Sequence, residues 1–263
     1  MNAAQKVCTR TDGAVATVIF NNPERRNAMS LAMWLATAEA LEKLAADPAV
    51  RVVVLTGAGD RAFVSGADIS EFESERGKFE AIAAYNAAMD RVHLAQLNFG
   101  KPLIAMIRGY CLGGGLNLAA GCDLRIANET ARFGIPAAKL GLGYGYAPMR
   151  RLLALVGPQF AQEILFTARQ FDAEEALRMG LVNRVVPDAE IESCLRDLTA
   201  TIAANAPLTI RAAKCIVREA MKDPAERDLA ACDALVRQCF ESDDYQEGRL
   251  AFLEKRRPVF TGK

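Results

Sequence analysis

One histidine, His93, serves a chain of 263 residues, and that scarcity excludes chemistry at the outset. A Ser-His-Asp hydrolase would have to be built on this residue, and no G-x-S-x-G elbow accompanies it. His93 also lies beside the apolar stripe of its helix, so it is expected as a core-flanking or surface residue rather than a base. The seven cysteines (8, 111, 122, 194, 215, 232 and 239) form no C-x-x-C pair and no metal-ligand spacing, and their odd number argues against a closed disulfide framework. They are expected as reduced thiols, with no metal site. Neither sign of charge is in excess: Lys+Arg and Asp+Glu are both 32, so no global field points to nucleic acid or membrane. Met1 to Arg10 has no apolar leader segment, and no stretch approaches the ~18 apolar residues of a membrane span. A cytoplasmic protein is expected, with Lys255-Arg256-Arg257 as its main local basic cluster.

Apolar residues are plentiful instead. At 51% of the chain they suffice for one large domain, or a domain with an appendage. Ala14 to Phe20 reads as a strand, followed by the polar turn Asn21 to Asn27. Ser30 then caps a helix whose apolar positions Trp34, Leu35, Ala38, Leu41 and Leu44 keep helical spacing up to Asp47-Pro48. Val50 to Thr56 is nearly continuously apolar, which suits a strand covered on both faces. After Ala62 to Asp68 comes a charged stretch, Glu71 to Lys78, expected to be mobile. A helix follows, with a stripe at Ile82, Tyr85, Met89, Val92 and Gln96.

Leu103 to Ile107 and Asp123 to Ala127 read as further strands, and strands alternating with helices predict an α/β fold. Beyond them, helices are expected over Pro148 to Val156, Gln159 to Thr167 and Asp172 to Met179, the last with a capping box in Asp172 and Glu175. Leu181 to Val186 is the last expected strand. From Ile191 helical patterning prevails, with breaks at Pro207, Pro224 and Asp243-Asp244.

Three stretches invite a functional reading. Gly113-Gly114-Gly115 enters a helix with no side chain in the way, so its backbone N–H groups suit an anion, or else allow close helix–strand packing. It matches neither G-x-x-x-x-G-K-[ST] nor a dinucleotide fingerprint. Ser65-Gly66-Ala67-Asp68 could turn the Ala67 N–H outward as a second anion loop, or be an ordinary turn. Tyr144 and Tyr146 sit in the glycine-rich run Lys139 to Tyr146, where they either line a pocket or simply pack.

Taken in order, Asn22-Pro23 with Asn27-Ala28, Ala62 to Ile69, Lys101-Pro102 with Gly109-Tyr110 and Gly113-Gly114-Gly115, Ala176 with Gly180-Leu181-Val182-Asn183 and Val186, and Phe252 to Arg256 resemble the enoyl-CoA hydratase/isomerase (crotonase) superfamily. The resemblance implies a spiral of ββα units with two roughly perpendicular sheets over residues 1–195. It also implies a helical C-terminal region, 196–263, that builds trimers or hexamers. An acyl-CoA thioester is the implied ligand, with no cofactor beyond its coenzyme A. The family's two backbone donors to the thioester oxygen map onto Ala67 and Gly114, each typically worth ~3 kcal/mol as charge develops. Arg26, Ala28, Ser65, Ala67, Asp68, Ile69, Phe252 and Lys255 correspond to coenzyme A contacts, the last two possible contributions to a neighbouring subunit.

The family's catalytic acids do not carry over. Hydratases of this superfamily place glutamates where this chain has Asn117 and Ala137, and the aspartate of some isomerases falls on Gly145. An amide and a methyl group cannot exchange protons near neutral pH, so the two-carboxylate route to hydration is not available at these positions. Asn117 and Tyr144 are left at the reacting end, and Leu140-Gly141-(x)2-Tyr144 resembles the loop of methylmalonyl-CoA decarboxylases. Three readings follow: an atypical hydratase or isomerase using Glu71 or Asp68, a decarboxylase of a malonyl-type CoA, and a non-catalytic acyl-CoA or RNA binder. An acyl-CoA enzyme of the hydratase/isomerase type is the expectation, with no nucleic-acid partner.

Overall fold

A computed structural model describes residues 6–68 and 79–263; Ile69 and the stretch 71–78 lie outside the described residues. The chain opens on a hairpin, β1 (Val7–Asp12) against β2 (Val15–Phe20), turning at Gly13, whose φ of 54° suits a residue without Cβ. β1 is mostly exposed and polar, which is why periodicity does not announce it. Next come α1 (Leu31–Ala46), β3 (Val52–Gly57), β4 (Ala62–Val64) and α2 (Phe79–Leu97). β5 (Leu103–Ile107), β6 (Tyr110–Leu112), α3 (Gly114–Ala120), β7 (Leu124–Asn128) and β8 (Arg132–Gly134) repeat the pattern. Then follow α4 (Tyr146–Thr167), β9 (Phe171–Asp172), α5 (Ala173–Arg178) and β10 (Arg184–Val186). The chain closes with α6 (Ile191–Ala204), α7 (Pro207–Ala220), α8 (Leu229–Phe240) and α9 (Asp243–Glu254).

The caps account for several boundaries. Ser30 Oγ accepts from the Met33 N–H at 3.2 Å, and Asp172 with Glu175 forms the expected capping box on α5. α4 is kinked where Gly157 has φ 70° before Pro158, which separates the two helical runs expected on either side. Asp243 and Asp244 begin α9 instead of breaking a helix, because Ser242 caps it by accepting from the Tyr245 N–H at 3.1 Å.

Two sheets result. The larger runs β1-β2-β3-β5-β7-β10, parallel from β2 onward, and the smaller runs β4-β6-β8-β9. Strand alternation divides the larger sheet's side chains between two layers. Val53, Leu55, Leu103 and Ala105 enter the main core with Trp34, Phe63 and Phe133. Val52, Val54, Ile104 and Met106 face the other way, against Ile191, Leu195 and Leu198 of α6. Residues 195 and 196 thus both lie inside a helix that covers the larger sheet. Among the described residues no helix is long and apolar enough to cross a membrane.

The smaller sheet positions the loops of interest. β4, β6 and β8 are parallel neighbours, so the segments after Val64, Leu112 and Gly134 leave from the same edge. α3 starts hard against β4: a Cβ added to Gly115 would lie 2.2 Å from the Val64 carbonyl oxygen and 2.8 Å from its Cβ. Gly115→Ala is therefore expected to lower stability by about 2 kcal/mol or more, read by denaturant unfolding. A variant as stable as the parent would show that α3 has no such constraint.

Candidate active site

The first wall grows from the turn after β2. Arg26 and Asn27 both adopt left-handed backbone, with φ of 52° and 56°, which side chains tolerate only when something holds them. Asn27 supplies the hold: fully buried, it accepts from the Asn22 N–H at 2.9 Å and donates to the carbonyls of Ala58 at 3.0 Å and Ala62 at 2.7 Å. The loop after β4 is then pinned to this turn. Met29 N–H donates to Gly66 O, and Asp68 N–H donates to Met29 O, both at 2.9 Å. Arg25 Nη1 donates to both Asp68 carboxylate oxygens, at 2.7 and 2.9 Å. In this bridge the extended chain turns alternate amides to opposite sides, so the Ala67 N–H faces away from Met29. It has no acceptor among the described residues.

The second wall is the start of α3. Gly113 takes φ 53° and ψ −115° as N-cap, and its N–H donates to Gly134 O at 2.9 Å. The first helical bond is Asn117 N–H to Gly113 O at 3.1 Å, which leaves the Gly114 N–H among the unpaired donors that begin every helix. Trp34 closes the floor beneath it, since a Cβ on Gly114 would lie 3.3 Å from Cζ2 of that ring. The two readings of the triple glycine thus divide between neighbours: Gly115 serves packing and Gly114 presents an open donor.

The third wall was not legible as such. Asn117, 4% exposed and one turn beyond Gly114 on the same helix face, accepts at Oδ1 from Arg151 Nη2 at 3.2 Å. Arg151, on α4, was not singled out by sequence; its signal is a pair of arginines near a helix's amino end, where the dipole disfavours cations. Burial pushes its pKa down. Tyr144 packs against the core in the loop before α4, and burial pushes its pKa up to about 12, with the nearby Arg151 charge opposing the shift. It therefore stays protonated near neutral pH. Tyr146, by contrast, points to solvent at 80% exposure and does not share its pocket. His93 on α2 is buried, and burial first, then the Arg151 charge, bring its pKa down to about 3. Its Nε2 has no partner among the described residues.

Other expected positions fall into two groups. Ala28 and Ser65 join the pinned loops: Ala28 O accepts from Asn22 Nδ2 at 3.2 Å, and Ser65 N–H donates to Arg26 O at 3.2 Å. Arg26 lays its guanidinium over the Tyr110 ring at 5.0 Å. It lines a cleft of about 420 Å³ with Asp60, Arg61, Gly109, Tyr110, Thr130 and Arg132, at the amino ends of β4, β6 and β8. Phe252, 83% exposed, and Lys255, also exposed, stand at the end of α9, where no described side-chain hydrogen bond or ion pair ties them to these loops. Arg256 beside them is engaged with Glu247 and Glu254, each at 2.6 Å. Ala137 is buried in the turn Pro136–Leu140.

Residues 10–263 match the family model described as enoyl-CoA hydratase/isomerase. The chain belongs to this family. It is 36% identical over 255 residues to a short-chain-enoyl-CoA hydratase of Clostridium acetobutylicum, covering 95% of each chain. It is 35% identical over 261 residues to a crotonyl-CoA hydratase of Syntrophomonas wolfei, covering 99% of this chain and 100% of that one. A crystal structure of an enoyl-CoA hydratase/carnitine racemase from Magnetospirillum magneticum superposes with a TM-score of 0.93 at 39% identity, covering 98% and 96% of the two chains. The crotonase fold expected from the motifs is thus borne out.

Within this enoyl-CoA hydratase/isomerase chain, His93 has a measurable consequence. Its folded-state value near 3 lies below the ordinary 6.5, so the unfolded chain takes up a proton first. The stability contributed by the neutral ring is full above the unfolded value and is lost as pH falls from there toward the folded one. Between about pH 7 and about pH 5 the loss should be about 2 kcal/mol. Denaturant unfolding of His93→Gln should show an acid loss smaller by that amount, whereas equal losses would mean that His93 titrates normally.

Proposed function

We propose that this chain is an acyl-CoA enzyme of the enoyl-CoA hydratase/isomerase type that stabilises a thioester enolate through the Ala67 and Gly114 N–H groups. The observation that carries the reading is the pair of backbone amides without acceptors, one after β4 and one after β6, on adjacent parallel strands. A thioester oxygen held by both would meet donors already oriented, so charge developing on it needs little reorganisation. Coenzyme A arrives as part of the substrate. Ala28, Ser65 and Asp68 build the loop along which it would lie, with Arg26 as an available cation.

Proton transfer narrows the chemistry. Asp68 is gripped at both oxygens by Arg25, and Glu71 lies outside the described residues. Tyr144 can donate a proton near neutral pH but is not ionised to accept one, and His93 is a weak base. The absence of an uncommitted carboxylate beside Asn117, among the described residues, favours a second reading, decarboxylation of a malonyl-type CoA. There the bond from the α-carbon to the carboxylate breaks, its electron pair forms the enolate, carbon dioxide leaves, and a solvent proton ends on the α-carbon.

The exposed apolar side chains of α8 and α9, Leu229, Phe240, Leu250, Phe252 and Leu253, support assembly into trimers or hexamers. In such an assembly Phe252 and Lys255 could serve a neighbouring site. Light scattering should give a mass of three or six chains, and a monomer would refute the assembly.

A panel of CoA esters in deuterated water, followed by mass spectrometry, tests the activity. Hydration of crotonyl-CoA, isomerisation, α-carbon deuteration or release of carbon dioxide from methylmalonyl-CoA is expected, and inertness toward every ester would refute the proposal. Gly114→Pro removes one donor at a helix position that accepts proline, and should slow the reaction at least about 100-fold. An undiminished rate in a folded variant would show that Gly114 is not a donor.

A further inference from the structure

The Arg151 guanidinium is poorly partnered. Of its five N–H donors, the one hydrogen bond among the described residues goes to a neutral amide oxygen, that of Asn117 at 3.2 Å. No carboxylate lies within ion-pair distance of it among the described residues, and its Nε is buried with no acceptor. The carboxylate that bears on it electrically, Asp90, is 78% exposed at its side chain and lies outside ion-pair distance of it. A half-buried guanidinium beside a neutral acceptor is an arrangement that an anion from outside would complete.

The surroundings say where that anion would sit. Asn117 is three residues beyond Gly114, so the two positions share one face of α3. Asn117 Oδ1 is taken by Arg151, and its Nδ2 has no acceptor among the described residues. Tyr144, packed against the core and kept protonated, is near enough for the Arg151 charge to bear on its hydroxyl. Arg151 thus meets Asn117 on the helix that begins at Gly114 and bears electrically on Tyr144, with no described carboxylate paired to it.

We infer that Arg151, with Asn117 and Tyr144, forms a subsite for a free carboxylate on the acyl part of the thioester, so that the preferred substrates are CoA half-esters of dicarboxylic acids. The inference rests on the acyl-CoA reading of the site. A planar guanidinium offers a carboxylate two parallel hydrogen bonds, which a methyl group at the same place cannot accept. The subsite therefore discriminates by charge within a few bonds of the thioester carbon.

Succinyl-CoA and butyryl-CoA carry the same number of acyl carbons and differ at the end group, so their dissociation constants isolate the effect. By calorimetry on the full-length protein, succinyl-CoA or methylmalonyl-CoA should bind at least about tenfold more tightly than butyryl-CoA. In Arg151→Gln that ratio should fall to within about threefold, while Arg151→Lys keeps an intermediate ratio. Thermal unfolding of each variant verifies the fold, and the wild-type ratio stands as a test that needs no variant. The stronger of the two anionic esters fixes whether the carboxylate sits on the α-carbon or one bond farther out. Equal affinity for anionic and neutral esters, or a ratio that persists in Arg151→Gln, would overturn the carboxylate subsite and leave the acyl-CoA reading intact. No affinity for any of the three esters would overturn both.

Discussion

The close approach of α3 to β4 is the constraint on which the rest depends. With its Cβ position filled by the Val64 backbone and side chain, Gly115 lets the helix start where an alanine would hold it off. That approach fixes two things together: the direction of α3, hence where the Gly114 N–H points, and the edge from which the loop 65–68 leaves. Parallel pairing of β4 with β6 places the two loops side by side, and the contact of Gly115 with Val64 brings the helix start against the end of β4. Asn27 completes the arrangement from the other side, because its amide ties the turn after β2 to the carbonyls on both sides of the chain between β3 and β4. A buried asparagine in left-handed backbone is costly by itself, and three hydrogen bonds with partners far apart in sequence are what make it stable.

Order around the open donors follows from the same packing. The Ala67 amide is unpaired because its neighbours are paired: Gly66 O and Asp68 N–H are both used by Met29, and Asp68 is further held by Arg25. An amide flanked by two fixed bonds cannot rotate toward a protein acceptor. On the proposed reading it is such a fixed direction that distinguishes a preorganised donor from a loose one. Trp34 contributes by filling the space beneath Gly114, so the helix start cannot settle inward.

Much of this was legible in the sequence, and the failures have physical causes. The strands β3 and β5 announce themselves as apolar runs because both faces are covered, and Ser30, Asp172 and Glu175 mark helix starts because caps are local chemistry. β1 escaped because an exposed edge strand carries no periodic signal, and β6 and β8 because three residues are too few to show one. The glycine run and Asn117 could be placed from motif and spacing. Arg151, Arg25 and the burial of His93 could not, since each depends on a partner from a distant element: α3 for Arg151, the loop after β4 for Arg25, and α4 for His93. Tyr144 and Tyr146, alike in sequence, part because the helix begins at Tyr146 and turns that side chain outward.

The residue at 117 decides the electrostatics as well as the proton chemistry. A glutamate there, as the family resemblance calls for, would stand beside Arg151 and neutralise it, giving a pocket with a base and no net charge. With asparagine in its place there is no carboxylate at 117, and the guanidinium meets a neutral acceptor there. These are not separate effects. On the proposed reading, asparagine at 117 supplies no carboxylate base and also leaves the guanidinium beside a neutral acceptor. On that reading, a site without a carboxylate base at 117 suits a substrate that brings its own carboxylate, since loss of carbon dioxide yields an enolate without a base. The proposed substrate class and the missing glutamate are therefore two consequences of the same exchange of carboxylate for amide.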